Sequence, residues 1–266
     1  MRRFPFALLF SAILLSPAAA QQGPEANLVL TILGGTVTGH SLWTVGKQPL
    51  YVGSPSSGLY DTLRLSRSIN SSLMLGAAAS YFPSPHVGFH VELSYVGLPV
   101  DSDCSGVFNP DSEHRNEQIC DDITSQAASG GAIAVFGGVT VRAAARRAFS
   151  PYVRGNLGLV NQSRSTIEMV GGYVTSSGTV AEQQILVDQH PHRTSPMIGA
   201  AVGFTSPLGS GYQFRLEARD IVTSIDRLMG AANSLGVGPT ATRYYHHFAL
   251  TLGFDVVLEK KRGRRY

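Results

Sequence analysis

The chain has 266 residues, 43% of them hydrophobic and only 15% charged, with 29 glycines and a net charge of +3. Soluble chains average about 25% charged residues, so this composition is charge-poor, yet mean hydropathy is only +0.06. Past residue 20 no stretch of about 18 uncharged apolar residues occurs, which excludes a bundle of transmembrane helices, and the charge is too small to imply nucleic acid.

Residues 1–20 read MRRFPFALLFSAILLSPAAA. Arg2 and Arg3 form a positive n-region, Phe4–Leu15 an apolar h-region, and Ala18, Ala19 and Ala20 a small-residue cleavage site. This is the pattern of a cleaved secretory signal peptide, and the h-region is too short to span a bilayer comfortably. Export puts the only two cysteines, Cys104 and Cys120, in an oxidising compartment. A disulfide between them would close a short loop and stabilise it by about 3 kcal/mol on a chain-entropy argument.

From residue 26 to 258 the chain repeatedly alternates apolar and polar residues, the period-2 signature of strands. At 26–37, Leu28, Leu30 and Ile32 share a face, and at 71–82 Leu73, Leu75, Ala77, Ala79 and Tyr81 do. At 87–95, Val87, Phe89, Val91, Leu93 and Tyr95 oppose His90, Glu92 and Ser94. At 132–142, Ile133, Val135, Val139 and Val141 oppose Ala132, Ala134, Thr140 and Arg142. At 152–159, Val153, Leu157 and Leu159 oppose Tyr152, Arg154 and Asn156. Ile198, Ala200, Val202 and Phe204 mark a sixth strand. At 212–219, Tyr212, Phe214, Leu216 and Ala218 oppose Gln213, Arg215, Glu217 and Arg219. In the last, Tyr244, His246, Phe248, Leu250, Leu252, Phe254, Val256 and Leu258 oppose Tyr245, His247, Ala249, Thr251 and Asp255. Residues 61–69 read as a strand projecting into the first loop; alternatively they and 71–82 are separate strands joined at Asn70.

The connections sort into two classes. Phe82–His86, Arg146–Ser150 and Pro207–Ser210 are short, while 39–60, 99–128, 171–193 and 227–243 are long and polar. Long and short alternate strictly, so an up-and-down meander places every long loop at one end. That asymmetry is expected of an outer-membrane barrel and has no cause in a soluble exported β-sandwich, the alternative fold. The reading is an all-β, eight-stranded antiparallel up-and-down transmembrane β-barrel over residues 21–258, followed by a basic periplasmic tail over 259–266. Its lumen would hold a charge network of Glu92, Arg142, Arg154, Arg215, Glu217, Arg219 and Asp255, which requires mutual neutralisation. Tyr81, Phe82, Tyr152, Tyr212 and Phe254 at the turn ends, with Tyr95, Tyr244 and Tyr245 at the loop ends, would form two interfacial aromatic belts.

The leader, the eight alternating strands, the three turns and the four long loops resemble the small outer-membrane barrels of the OmpA/OmpX type in Gram-negative bacteria. The segment HFALTLGF at 247–254 is similar to the terminal strand that the barrel-assembly machinery reads in that family. The resemblance implies residence in the outer membrane, contact with its lipid and lipopolysaccharide, and assembly by that machinery.

Other residue groups are candidates for chemistry. The 99–128 loop holds Asp101, Asp103, Asp111, Glu113, Glu117, Asp121 and Asp122 against Arg115 alone. This is either a solvated loop or a cation-binding surface, though EF-hand spacing is absent. Asp188, His190 and His192 could contribute to a metal site but lack a further ligand. His246 and His247 are adjacent on a strand and so face opposite sides. His40 and Ser41 near the rim suggest a lipid A-modifying barrel enzyme, but no nucleophile elbow, zinc motif or phosphate loop is present. The sequence therefore points to a non-catalytic envelope protein of structural or surface-interaction type. It would have a largely plugged lumen, no cofactor and an unidentified extracellular ligand, with a narrow pore as the alternative.

Overall fold

A computed structural model describes residues 27–53, 58–109, 114–126, 128–143, 148–189 and 194–258. The leader and the 259–266 tail lie outside the described residues. Among the described residues, twelve strands and one helix follow in chain order: β1 (Asn27–Val37), β2 (His40–Tyr51), β3 (Tyr60–Ile69), β4 (Ser72–Phe82), β5 (Val87–Val107), α1 (Arg115–Ser125), β6 (Ala128–Arg142), β7 (Ser150–Gln162), β8 (Met169–Val174), β9 (Val180–Leu186), β10 (Thr194–Gly209), β11 (Tyr212–Leu228) and β12 (Thr240–Leu258).

Eight of these strands close a ring in the order β1, β4, β5, β6, β7, β10, β11, β12 and back to β1. Every pairing is antiparallel; β1 alone matches Leu28 to Leu258 and Asn27 to Phe82 on its two sides. Closure leaves the ring no unpaired edge, the condition for a sheet to cross hydrocarbon. A two-layer sandwich is thereby excluded, because one closed sheet replaces two facing ones. The three turns between ring neighbours β4–β5, β6–β7 and β10–β11 share one end. At the last of these, Gly211 takes φ of +82°, a backbone conformation that a Cβ would strain.

Alternation decides the two faces of the wall. Ile32, Leu75, Val91, Leu93, Val135, Leu157, Val202, Leu250 and Leu252 are among the exposed outward residues. Their polar neighbours Thr31, Ser80, Glu92, Thr140, Arg154, Glu217 and Thr251 are buried inward. A soluble protein exposes only small apolar patches; here a continuous apolar belt circles the molecule, as lipid demands.

The long connections correct the sequence reading, which treated them as polar loops. They fold into a cap with its own apolar core. β2 and β3 form a hairpin, and both readings of residues 61–82 prove partly right: β3 and β4 are separate strands broken at Asn70 and Ser71, and β3 projects beyond the ring to pair with the upper half of β5. Loop alternation survives because β3 is outside the ring. α1 forms in the second loop, where Ile119 and Ile123 stack at i,i+4 and bury with Cys120. β8 and β9 form a hairpin in the third. Leu42, Trp43, Leu63, Leu65, Ile119, Ile123, Leu186 and Ile225 pack together at its centre.

Specific bonds hold the cap together. Within the second loop, Cys104 on β5 is bridged to Cys120 on α1, and other contacts tie the first loop to the remaining three. Trp43 donates its indole N–H to the Thr166 carbonyl at 2.9 Å. The Gln48 amide accepts from Ala232 N–H at 2.7 Å and donates to its carbonyl at 3.2 Å. Buried Asp61 accepts from the Asn116 side chain and the Asn109 backbone, each at 2.8 Å.

Candidate functional site

The lumen is layered from turn end to loop end. At the turn end, Arg142 lies over the Phe82 ring, its guanidinium carbon 3.6 Å from the centroid. Asp255 on β12 accepts from Arg215 on β11 at 3.1 Å and 2.8 Å and from Thr31 on β1 at 2.8 Å.

Above these lies the charged cluster. Fully buried Glu92 on β5 accepts from Arg219 at 2.5 Å and 3.1 Å, from Arg154 at 3.3 Å and from Ser94 at 2.7 Å. Glu217 accepts from the Tyr152 hydroxyl at 2.6 Å, lies 3.6 Å from Arg154 and pairs with Arg219. His90 meets Asn156 at 2.7 Å and Thr140 at 3.3 Å. Four guanidinium groups thus face three carboxylates, and the side chains of Glu92, Arg154, Glu217 and Asp255 have no exposure. Small residues make the room: a Cβ on Gly203 would collide with the Tyr152 ring and the Leu216 carbonyl.

The seven charged residues expected in the lumen all project inward. Six of them pair, and Arg142 instead sits on an aromatic ring. Tyr152, His90, Asn156 and Thr31 join them without having been singled out for that role. Three members of the proposed aromatic belts are corrected. Phe82 and Tyr152 are buried inside the lumen, 3% and 4% exposed, and Tyr245 turns inward, bonding the Leu42 carbonyl at 2.9 Å and stacking on His40. Each sits at an odd step from its outward neighbour, so alternation, not proximity to the strand end, sets its face. Tyr81, Tyr95, Tyr212, Tyr244 and Phe254 are exposed on the outer surface.

Between cluster and cap the lumen turns apolar. A cavity of about 60 Å³ is lined by Met74, Ala132, Ala134, Phe136, Met197 and Ile221 among others. Charged and polar side chains therefore fill the turn-side half, and mostly apolar ones line the loop-side half. This is the architecture of a small transmembrane β-barrel.

Comparison with known proteins adds likeness of shape. The chain is similar to the outer membrane protein OprG from Pseudomonas aeruginosa, at TM-score 0.49 and 12% identity, covering 90% of this chain and 99% of that one. It is similar to outer membrane protein AlkL at TM-score 0.43 and 14% identity, covering 94% and 98%. Neisserial surface protein A gives 0.41 and 11%, covering 87% and 97%. No family model and no curated protein matches the sequence. The barrel assignment rests on the closure and polarity of this chain's own ring.

The remaining candidates separate. Of the acidic stretch, Asp111 and Glu113 lie outside the described residues. Asp101 accepts from Asn70, Asp122 from the Gly172 backbone at 2.6 Å, and Glu117 sits 3.2 Å from His114. Asp122 thereby ties α1 to β8, and among the described residues no group of three potential metal ligands converges. His190 and His192 also lie outside the described residues. His247 is buried in the lumen against His40, ring centroids 4.4 Å apart, while His246 faces outward and meets Asp220 at 2.9 Å. His40 belongs to that inward stack, and Ser41 is exposed.

Proposed function

We propose that the chain is a non-catalytic outer-membrane protein in which a plugged barrel anchors a rigid surface cap, and that the cap is the working part. The observation that carries this reading is the fully buried charged cluster. Arg154, Arg219, Glu92 and Glu217 span the lumen at one level and satisfy one another rather than solvent. A conducting lumen keeps its charges wet, whereas burying four ions is tolerable only where each finds a partner. The cap core then covers the other mouth.

The leader delivers the chain to the periplasm, the assembly machinery inserts it, and the apolar belt contacts lipid with lipopolysaccharide at the outer rim. Liposome swelling tests the plug: proteoliposomes are expected to swell no faster in small sugars than empty vesicles, and porin-like swelling refutes it. Mass spectrometry of lipid A from cells with and without the protein tests the absence of catalysis. Identical spectra are expected, and loss or gain of an acyl chain refutes that part of the reading.

A further inference from the structure

The β2–β3 hairpin rises from the rim pair His40–Ile69 to the tip pair Tyr51–Tyr60. Near this tip the hairpin, the start of α1, β9 and the 229–239 segment enclose an open groove of about 600 Å³, within the size range that takes small ligands. One wall is aromatic. The Tyr51 and Tyr60 rings lie 4.6 Å apart at 37°, their hydroxyls 3.3 Å from each other, and Tyr60 is half exposed.

The rest of the lining includes planar polar groups. Arg115 donates to the Gly53 carbonyl at 2.7 Å and to the Gln183 side-chain oxygen at 2.5 Å, and rests on the Tyr173 ring. Among the described residues no carboxylate bonds it, and none lines the groove. Asn233 also lines the groove, its side-chain oxygen accepting from the backbone N–H groups of Leu235 and Val237, each at 3.0 Å.

We propose that this groove binds a short saccharide carrying carboxylates, of the uronic acid class. Flat, half-exposed aromatic rings accept the C–H face of a pyranose. Planar amide and guanidinium groups match pairs of neighbouring hydroxyls, and a guanidinium bonded, among the described residues, only to neutral oxygens is short of an anion.

The inference rests on the reading that the cap faces the medium, and the two are tested apart. Exposed Lys47 on β2 is expected to react with a membrane-impermeant amine reagent on intact cells, which reads orientation alone. Binding is read by titrating the full-length protein in detergent with trigalacturonate, using maltotriose as the neutral control. Saturable binding of trigalacturonate is expected, with maltotriose weaker. Arg115→Met should weaken it about tenfold or more, and Tyr60→Ala should abolish it. Tyr60→Ala, on β3 and outside α1, keeps the test if Arg115→Met disturbs the helix, and a heat-dependent gel shift controls for folding. Absence of saturable trigalacturonate binding overturns the proposal, as does binding that is unchanged in Tyr60→Ala or no stronger than that of maltotriose.

Discussion

Arg219 on β11 grips Glu92 on β5 with both terminal nitrogens, at 2.5 Å and 3.1 Å. β5 and β11 stand four places apart in the ring of eight, so this pair crosses the full width of the barrel. It joins walls whose residues are 127 positions apart in sequence. No backbone ladder connects the two strands directly; side-chain chemistry does.

Removing one partner leaves the other ionised in a dry interior. Glu92→Ala or Arg219→Ala is therefore expected to cost about 3–5 kcal/mol, measured as the urea midpoint of the gel-shift transition in detergent micelles. The double variant, which leaves fewer unpaired charges, is expected to be more stable than the sum of the single losses implies. Additive losses would show that the pair does not couple.

The Cys104–Cys120 bridge belongs to the cap alone. Its 16-residue separation gives a chain-entropy contribution of about 3 kcal/mol. In Cys104→Ser/Cys120→Ser the barrel should keep its heat-dependent mobility, while a protease added from outside cleaves near α1 faster. Trp43, the only tryptophan in the sequence, reports on the same region: it is buried in the cap core, so its emission should shift to the red.

His40 sits in the cap hairpin with its ring against Tyr245 and His247. Burial lowers its pKa below the ordinary 6.5, opposed by a backbone hydrogen bond to Gly39. A base whose folded pKa is depressed binds protons more readily unfolded, so its contribution is complete above pH 6.5 and is lost as pH falls below it. Cap stability, read by Trp43 emission against urea, should decline on acidification through that range. In His40→Phe the decline should be smaller; an equal decline would place the titration elsewhere.

Much of the barrel is legible in the sequence because period-2 alternation is local. At 212–219 a single strand carries Tyr, Phe, Leu and Ala on one face and Gln, Arg, Glu and Arg on the other, and that contrast states both the lipid side and the lumen side. The same parity places Tyr152 beside Arg154 and Tyr245 beside His247, so position at a strand end was the weaker guide for these rings. The cap was illegible for the opposite reason. Leu63, Leu65, Ile119, Ile123 and Leu186 come from different loops, and bonds such as Trp43 to Thr166 join residues 123 positions apart. Each loop read singly is polar; only their convergence creates an interior. The groove at the hairpin tip is likewise a product of assembly, with Tyr60, Arg115 and Gln183 contributed by three loops.

Ion conductance across a planar bilayer tests the sealed lumen most directly. On the proposal that the buried cluster of Glu92, Arg154, Glu217 and Arg219 closes the lumen, the reconstituted protein is expected to insert without stepwise current under an applied potential. Steady ohmic steps from the wild-type chain would contradict that closure.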